Sequence, residues 1–277
     1  MGAPIFVDEP PGVDRLSFSV VSQRRQNLVA PLSLWSIFTL SLLAVLASCS
    51  PEETTPSTAS FARTSATIVQ PTNAAYPINL IFVAEPDDAI WTDLTGIVLS
   101  DELSIPPGDF TVMRGDGTNG VTLGNVTFTV DIPAAGLSFR TVGLVFAGSS
   151  TITQVPVGSW SLRGAPADDF ASEDAGADVV GMSRCTTADF PVPDAVASVQ
   201  RFDTGSPDVH ADEVALDSRS HSVTAELACD GDFDFRVMSP SIDYTDDSGK
   251  ARTTRLAPVS IGFQDVTDAD LQRIRSR

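Results

Sequence analysis

The sequence predicts an all-β protein, an antiparallel β-sandwich with a short helix at its C-terminus. From Tyr76 onward, short runs of β-branched and aromatic residues alternate with Gly, Pro and Asp, which favour turns. The runs recur at intervals of about 8–12 residues, a spacing typical of antiparallel sandwiches. Residues 127–132 alternate polar and apolar side chains, as a half-buried strand does.

The first strand-rich segment, residues 76–164, predicts one sandwich unit. Residues 115–120 (Gly-Asp-Gly-Thr-Asn-Gly) stand between two strand-like runs and predict a hairpin turn. Residues 106–109 (Pro-Pro-Gly-Asp) predict another turn. The strands expected in this unit are residues 77–84, 90–99, 109–114, 121–131, 138–147, 151–154 and 157–163.

A second unit is predicted over residues 178–264. Residues 165–177 are acidic and poor in large apolar side chains, so they predict a linker between the units. Residues 246–250 (Asp-Asp-Ser-Gly-Lys) predict a hairpin within the second unit. The strands expected there are residues 179–185, 196–202, 209–216, 221–229, 233–243 and 251–263.

Residues 265–277 predict the short helix. Thr267 can cap it by accepting a hydrogen bond from a backbone N–H of the first turn. Asp268 and Asp270 fall early and Arg273 and Arg275 late, which matches the helix dipole. The two strand-rich units resemble immunoglobulin-like modules in size and strand count, and this resemblance implies two small sandwiches. A single larger sandwich is the alternative.

The charge of the chain excludes one class of partner. The formal net charge is −19, and residues 1–48 hold three arginines and three acidic residues, so the remainder carries all of it. A surface this acidic repels phosphates, so we expect no nucleic-acid binding. Solubility is the simplest interpretation of the acidity, and capture of cations or basic partners is the functional one.

An uncharged apolar run, residues 29–48, ends in Leu46-Ala47-Ser48-Cys49. The run and this tetrapeptide resemble the signal peptide and lipobox of bacterial lipoproteins. The resemblance implies that residues 1–48 are removed and that Cys49 is lipidated, which anchors the protein to the outer face of the cell membrane. An uncleaved membrane-spanning helix is the alternative. The translation start and the export route, general secretion or twin-arginine at Arg24-Arg25, stay open.

Residues 49–75 predict a flexible tether. They are rich in Ser, Thr and Pro and contain few large apolar side chains, so they bury too little surface to offset the entropy of ordering. The tether would hold the domain away from the lipid surface.

The cysteine count predicts a disulfide. If Cys49 carries lipid, Cys185 and Cys229 remain, and an even pair in an exported domain favours a disulfide over two free thiols. The bond would close a loop of 45 residues, a constraint that stabilises the fold by about 4 kcal/mol in the chain-entropy model.

Candidate metal ligands are sparse. Asp230, Asp232 and Asp234 would share one face of a strand, where their oxygens could bind Ca²⁺, although an exposed acidic face beside a Phe-rich core is the simpler interpretation. His210 and His221 are the only histidines and lack an obvious third ligand.

The sequence therefore predicts a membrane-anchored, extracytoplasmic lipoprotein that works as a non-catalytic binding or interaction module. Its partner would be an unidentified protein or small molecule, and no cofactor is expected beyond the possible Ca²⁺. Two alternatives remain: a secreted hydrolase that uses a pair of carboxylates on a β scaffold, and a Ca²⁺-stabilised adhesion module.

Overall fold

Eighteen strands and one α-helix make up the described part of the chain, residues 57–100, 103–171, 180–263 and 266–277 of the computed structural model. Two short 3₁₀ helices, Ala89–Trp91 and Ala167–Asp169, complete it. The elements are β1 (Ser60–Phe61), β2 (Thr64–Pro71), β3 (Ala75–Ala84), β4 (Leu94–Ser100), β5 (Leu103–Ile105), β6 (Phe110–Thr118), β7 (Val121–Asp131), β8 (Leu137–Phe146), β9 (Thr153–Ala165), β10 (Val180–Met182), β11 (Thr187–Pro191), β12 (Val196–Asp203), β13 (Val209–Asp217), β14 (Ser222–Cys229), β15 (Phe235–Met238), β16 (Ser241–Asp246), β17 (Ala251–Arg255), β18 (Val259–Ile261) and α1 (Asp268–Arg275).

The first hydrophobic core lies between two sheets. A four-stranded sheet, in the order β1-β3-β7-β6, faces the β2-β9-β8-β4-β5 part of an eight-stranded sheet. Alternate side chains of each strand enter the core, as the period of two requires. Its fully buried members include Ile68 of β2, Phe82 of β3 and Leu162 of β9.

The eight-stranded sheet runs in the order β10-β18-β15-β2-β9-β8-β4-β5 and joins the two halves of the chain. Most of its pairings are antiparallel, but β2 is parallel to both of its neighbours, β9 and β15, and β10 is parallel to β18. A strand paired on both sides has no free edge, so β2 lies in the interior of the sheet.

The second hydrophobic core lies at the β10-β18-β15 end of that sheet. Two three-stranded sheets, β11-β14-β13 and β12-β16-β17, contribute to it. Phe190, Ile242 and Leu256 are almost wholly buried there. The described residues all belong to one compact unit, Glu53–Arg277, that contains both cores. The division into two separately folding sandwiches stays a prediction.

Helix α1 closes a third, smaller cluster. Leu271 and Ile274 pack on Ala62, Val83 and Phe235. The helix begins with a capping box, in which the Thr267 side chain accepts from the backbone N–H of Asp270 and the Asp270 side chain accepts from the backbone N–H of Thr267. The predicted C-terminal helix and its cap are therefore confirmed.

The all-β sandwich class is confirmed, and so are both predicted hairpins. Residues 119 and 120 form the turn between β6 and β7 with φ of 50° and 79°. Left-handed conformations at both central positions are the requirement that Asn-Gly meets in a type I′ turn. The second hairpin, over residues 246–250, joins β16 and β17.

Several strand boundaries differ from the predictions. Residues 151–154 and 157–163 belong largely to one long strand, β9, which continues through Gly158. The expected strands 233–243 and 251–263 each divide into two, and β11 was not expected. Of the predicted linker, residues 172–179 lie outside the described residues, and residues 167–169 form a 3₁₀ turn.

The predicted tether is wrong over β1 and β2. Thr64, Ala66 and Ile68 are almost fully buried on one side of β2, and Thr67, Ile68 and Val69 are β-branched. Small and β-branched side chains suit the interior of a sheet, where neighbouring strands supply the burial that the segment itself lacks. The Ser/Thr-rich composition therefore indicated a spacer where the fold has a central strand.

Candidate functional site

A disulfide links Cys185 to Cys229, as predicted. The two Cα atoms lie 5.9 Å apart, inside the range that a disulfide spans. The bond ties the segment after β10 to the last residue of β14. Disulfides persist mainly in oxidising compartments, so this one fits an extracytoplasmic domain.

Residues 230–234 form a loop between β14 and β15, not the strand face that the calcium hypothesis assumed. Asp234 is the buried member, with a side chain of 0% exposure. It accepts hydrogen bonds from the backbone N–H of Arg63 (2.8 Å), from Arg273 Nε (2.8 Å) and from Arg277 Nη1 (2.7 Å). Asp234 therefore fastens the C-terminal helix to the start of β2.

Of the other two carboxylates, Asp232 shares an arginine with Asp234 and Asp230 has a partner of its own. Asp232 binds Arg277 at 2.6 Å and approaches Arg63 at 3.6 Å, whereas Asp230 lies 2.9 Å from Nε2 of His210. Arg277 binds both Asp232 and Asp234, and His210 lies against Asp230, so side chains of this protein already occupy all three carboxylates. In the described ranges no group of three or more His, Cys, Asp or Glu side chains is arranged to hold a metal. The Ca²⁺ hypothesis stays a prediction, but its assumption that the three aspartates share one face of a strand is wrong.

The two histidines lie at opposite ends of the β13–β14 hairpin. His210 is on β13 near the disulfide, where its neighbour Val209 pairs with Cys229. His221 is in the turn before β14, with φ of 47° and its Nδ1 3.7 Å from Asp194. The hairpin therefore keeps them apart, and no shared site follows from them.

An open pocket of about 380 Å³ lies beside the disulfide, a volume that suits a small ligand. It is bounded by the segment after β10, the ends of β14 and β18, the start of β15 and helix α1. The lining residues are Ser183, Arg184, Cys185, Cys229, Asp234, Phe235, Arg236, Ile261, Gly262, Asp270 and Arg273.

Charged side chains dominate this pocket. Arg236 donates to three carbonyl oxygens of the 230–234 loop, those of Phe233 (3.2 Å), Asp230 (2.8 Å) and Gly231 (3.1 Å), and its Nε is buried without a partner. Burial lowers the pKa of the Arg236 guanidinium, and nearby carboxylates, with Asp208 the strongest, oppose that shift. Arg236 is thus a partly desolvated cation bonded to neutral groups.

The acids of the pocket are already engaged. Arg273 contacts Asp234 and also Asp270 at 2.8 Å, and its hydrogen bond to Asp234 raises the pKa of Arg273. Burial acts to raise the pKa of Asp270, but hydrogen bonds from Thr267 and the charge of Arg273 outweigh it and lower that pKa. Both carboxylates are therefore already bound by arginine.

A second pocket of about 340 Å³ lies against β17. Its cations are Lys250 and Arg252, and Arg252 is bound at 2.5 Å by the buried Asp246. Asp246 also accepts from the Ser248 hydroxyl and from the backbone N–H groups of Ser248 and Lys250. This pocket is therefore built around a structural turn.

The carboxylates with clearly shifted pKa values do not suit acid catalysis. The pKa values of Asp217, Asp246 and Asp270 are all lowered, chiefly by hydrogen bonds. A general acid near neutral pH needs a raised pKa, usually from burial without a donor. These shifts lend no support to the carboxylate-pair hydrolase.

Comparison with known proteins assigns no family: no family model matches the chain, and no curated protein matches it. Within the ranges that the structure describes, no helix has the length and hydrophobicity needed to cross a membrane. The predicted signal peptide and lipobox, Leu46-Ala47-Ser48-Cys49, lie outside the described residues.

The arginine-lined pocket was not predicted from the sequence. Arg184 precedes Cys185 directly and Arg236 follows Asp234 by two positions, so two of its arginines adjoin residues that were singled out. Nothing in the local sequence indicates, however, that β10, β15 and α1 meet, because that contact depends on the pairing of strands distant in the chain.

Proposed function

We propose that this chain is an exported lipoprotein that displays its β-sandwich on the outer face of the membrane as a non-catalytic binding module. The disulfide between Cys185 and Cys229 is the observation that carries the extracytoplasmic location. The Leu46-Ala47-Ser48-Cys49 sequence supports lipidation at Cys49, because it places a cysteine at the end of an uncharged apolar run.

The first described residues, Ser57 and Thr58, are hydrogen-bonded to the domain that the anchor would hold. Ser57 donates to Asp88 through its hydroxyl at 2.6 Å, and Thr58 donates through its backbone N–H at 2.7 Å and its hydroxyl at 2.9 Å. Asp88 also accepts from the backbone N–H of Ile90 at 2.9 Å and so caps the first 3₁₀ helix. One buried carboxylate therefore fastens the first described residues to the fold.

This attachment shortens the spacer that the sequence suggested. Ser57 follows Cys49 by eight positions, so the extended backbone between them spans at most about 28 Å. A lipid on Cys49 would then hold the sandwich close to the bilayer. In this proposal the module acts near the membrane surface, and its binding element is the pocket beside the disulfide.

Metabolic labelling with radioactive palmitate tests the anchor. The wild-type chain and a Ser50→Ala control, altered beside the proposed site, should both incorporate label. The Cys49→Ala variant should incorporate none, because it lacks the thiol that would carry the diacylglycerol. Label that persists in Cys49→Ala would overturn the lipoprotein proposal.

A further inference from the structure

Two guanidinium groups of the disulfide pocket have no carboxylate bound to them. All the hydrogen bonds that the structure gives to Arg236 go to backbone carbonyl oxygens, and its buried Nε has no partner. Arg184 is exposed at the pocket rim and, among the described residues, has neither a hydrogen bond nor an ion pair. The N–H donors of Arg184 are therefore available to an anion from solution, and Arg236 adds positive charge in the same pocket.

The neighbouring acids Asp208, Asp234, Asp230 and Asp232 favour the charged form of Arg236 through space and act to raise its pKa, but none makes a hydrogen bond or ion pair with its guanidinium. Asp234 is bound by Arg273 and Arg277, Asp270 by Arg273, and Asp208 accepts from the Ser65 hydroxyl at 2.5 Å. Among the lining residues the three arginines, Arg184, Arg236 and Arg273, outnumber the two aspartates, Asp234 and Asp270, in a chain of net charge −19.

We propose that this pocket binds the oxyanion of a small ligand, a carboxylate or phosphate group, between Arg184 and Arg236. The inference rests on the proposed binding function and names the ligand class of that site. Guanidinium groups suit this role because their N–H donors match the spacing of carboxylate and phosphate oxygens. The hydroxyl of Ser183, which also lines the pocket, supplies a further donor.

Neighbouring elements fix the position of the site. The disulfide holds Cys185, and with it the adjacent Arg184, against the end of β14, and the 230–234 loop is bonded to the guanidinium of Arg236. Gly262 completes the wall: its φ is +93°, and a Cβ there would lie 2.8 Å from the carbonyl oxygen of Asp234. The pocket is therefore pre-formed, which reduces the entropy lost on binding.

Calorimetric titration of the full chain tests the proposal, with inorganic phosphate in one arm and succinate in the other. Ionic strength is kept constant with potassium chloride at about 0.1 M, where charges more than about 10 Å apart are largely screened. Saturable binding of phosphate alone identifies a phosphate ligand, and of succinate alone a carboxylate ligand. Binding of both supports an oxyanion site in general, whereas binding of neither overturns the proposal.

A matched pair of variants locates the site. Arg184→Gln should weaken binding at least about tenfold, the effect of one charge-assisted hydrogen bond. Arg140→Gln removes the same charge from an exposed position of β8 and should bind as the wild type does. Equal affinities in the two variants would overturn the assignment. Urea unfolding checks that both variants are folded, and a negative result leaves the palmitate test of the anchor unaffected.

Discussion

Single buried aspartates organise the backbone at several points in this acidic chain. Asp88 fastens the first described residues, Asp234 fastens helix α1, and Asp246 closes the β16–β17 turn. Each carboxylate accepts from backbone N–H groups as well as from side chains. Such charge-assisted bonds are stronger than those between neutral groups, so part of the stability of the fold depends on them.

Asp246 provides a pH test of this dependence. Hydrogen bonds from the Ser248 hydroxyl, Arg252 and the backbone of Lys250 hold the pKa of Asp246 far below its ordinary value. The pKa of an aspartate in the unfolded chain is about 3.9. The stabilisation is therefore complete above that pH and is lost as the pH falls through the lower pKa of the folded state.

We expect the difference in unfolding free energy between the wild type and Asp246→Asn to shrink as the pH falls below about 4. Urea unfolding at pH 7 and at steps down to pH 2.5, taken as about the lowest practical pH, measures this difference. The exposed neighbour Asp247→Asn is the control and should show no comparable change. A difference for Asp246→Asn that does not vary with pH would contradict the prediction.

At the scale of elements, strand β2 joins the two parts of the eight-stranded sheet. It pairs along its whole length with β9 and at its start with β15. Gly158 of β9, the register partner of Thr64, has φ of +100°, and a Cβ there would overlap the backbone of Thr64. The glycine thus permits both an unusual backbone conformation and a close approach of two strands.

Gly158→Ala should therefore destabilise the protein more than the same substitution at another glycine of positive φ. Gly108→Ala is the matched control, because Gly108 has φ of +96° with nothing within 4 Å of its added Cβ. The control should cost about 1–2 kcal/mol for the backbone conformation alone. Gly158→Ala should cost about 1–3 kcal/mol more for the overlap with β2. Equal midpoints for the two variants in chemical denaturation would contradict the prediction that the contact between β9 and β2 adds to the cost.

The sequence predicted some elements well and missed others for one physical reason. β7 was predicted with the bounds it has, and the Asn119-Gly120 turn and the Thr267 cap followed from local chemistry. β2 was missed because its burial comes from β9 and β15, which lie far away in the chain. The pocket between Arg184 and Arg236 was missed for the same reason, since long-range pairing alone creates it.

At the scale of the whole molecule, one sheet connects two hydrophobic cores. β2 contributes Ile68 to the first core, and β15 contributes Val237 to the first core and Met238 to the second. Helix α1 packs beside this junction through Ile274 and is held by Asp234. We therefore expect that loss of β2 or β15 destabilises both cores.

A truncated chain tests that dependence. A chain that begins at Thr72 lacks β1 and β2, so its eight-stranded sheet loses the strand between β9 and β15. It should show no cooperative unfolding transition, whereas a chain that begins at Ser57 should unfold as the full chain does. Thermal unfolding followed by near-ultraviolet circular dichroism measures both. A cooperative transition in the shorter chain would contradict the prediction.

The central position of β2 also sets the order in which the protein can acquire its structure. Arg63 and Asp234, which are bonded where β2 meets β15, are 171 positions apart. The ribosome releases β2 early and must synthesise most of the chain before β15 emerges to pair with it. Contacts this distant form slowly. If the chain is exported as we propose, a main sheet that closes only near the end of synthesis would delay folding, which suits passage through an export channel.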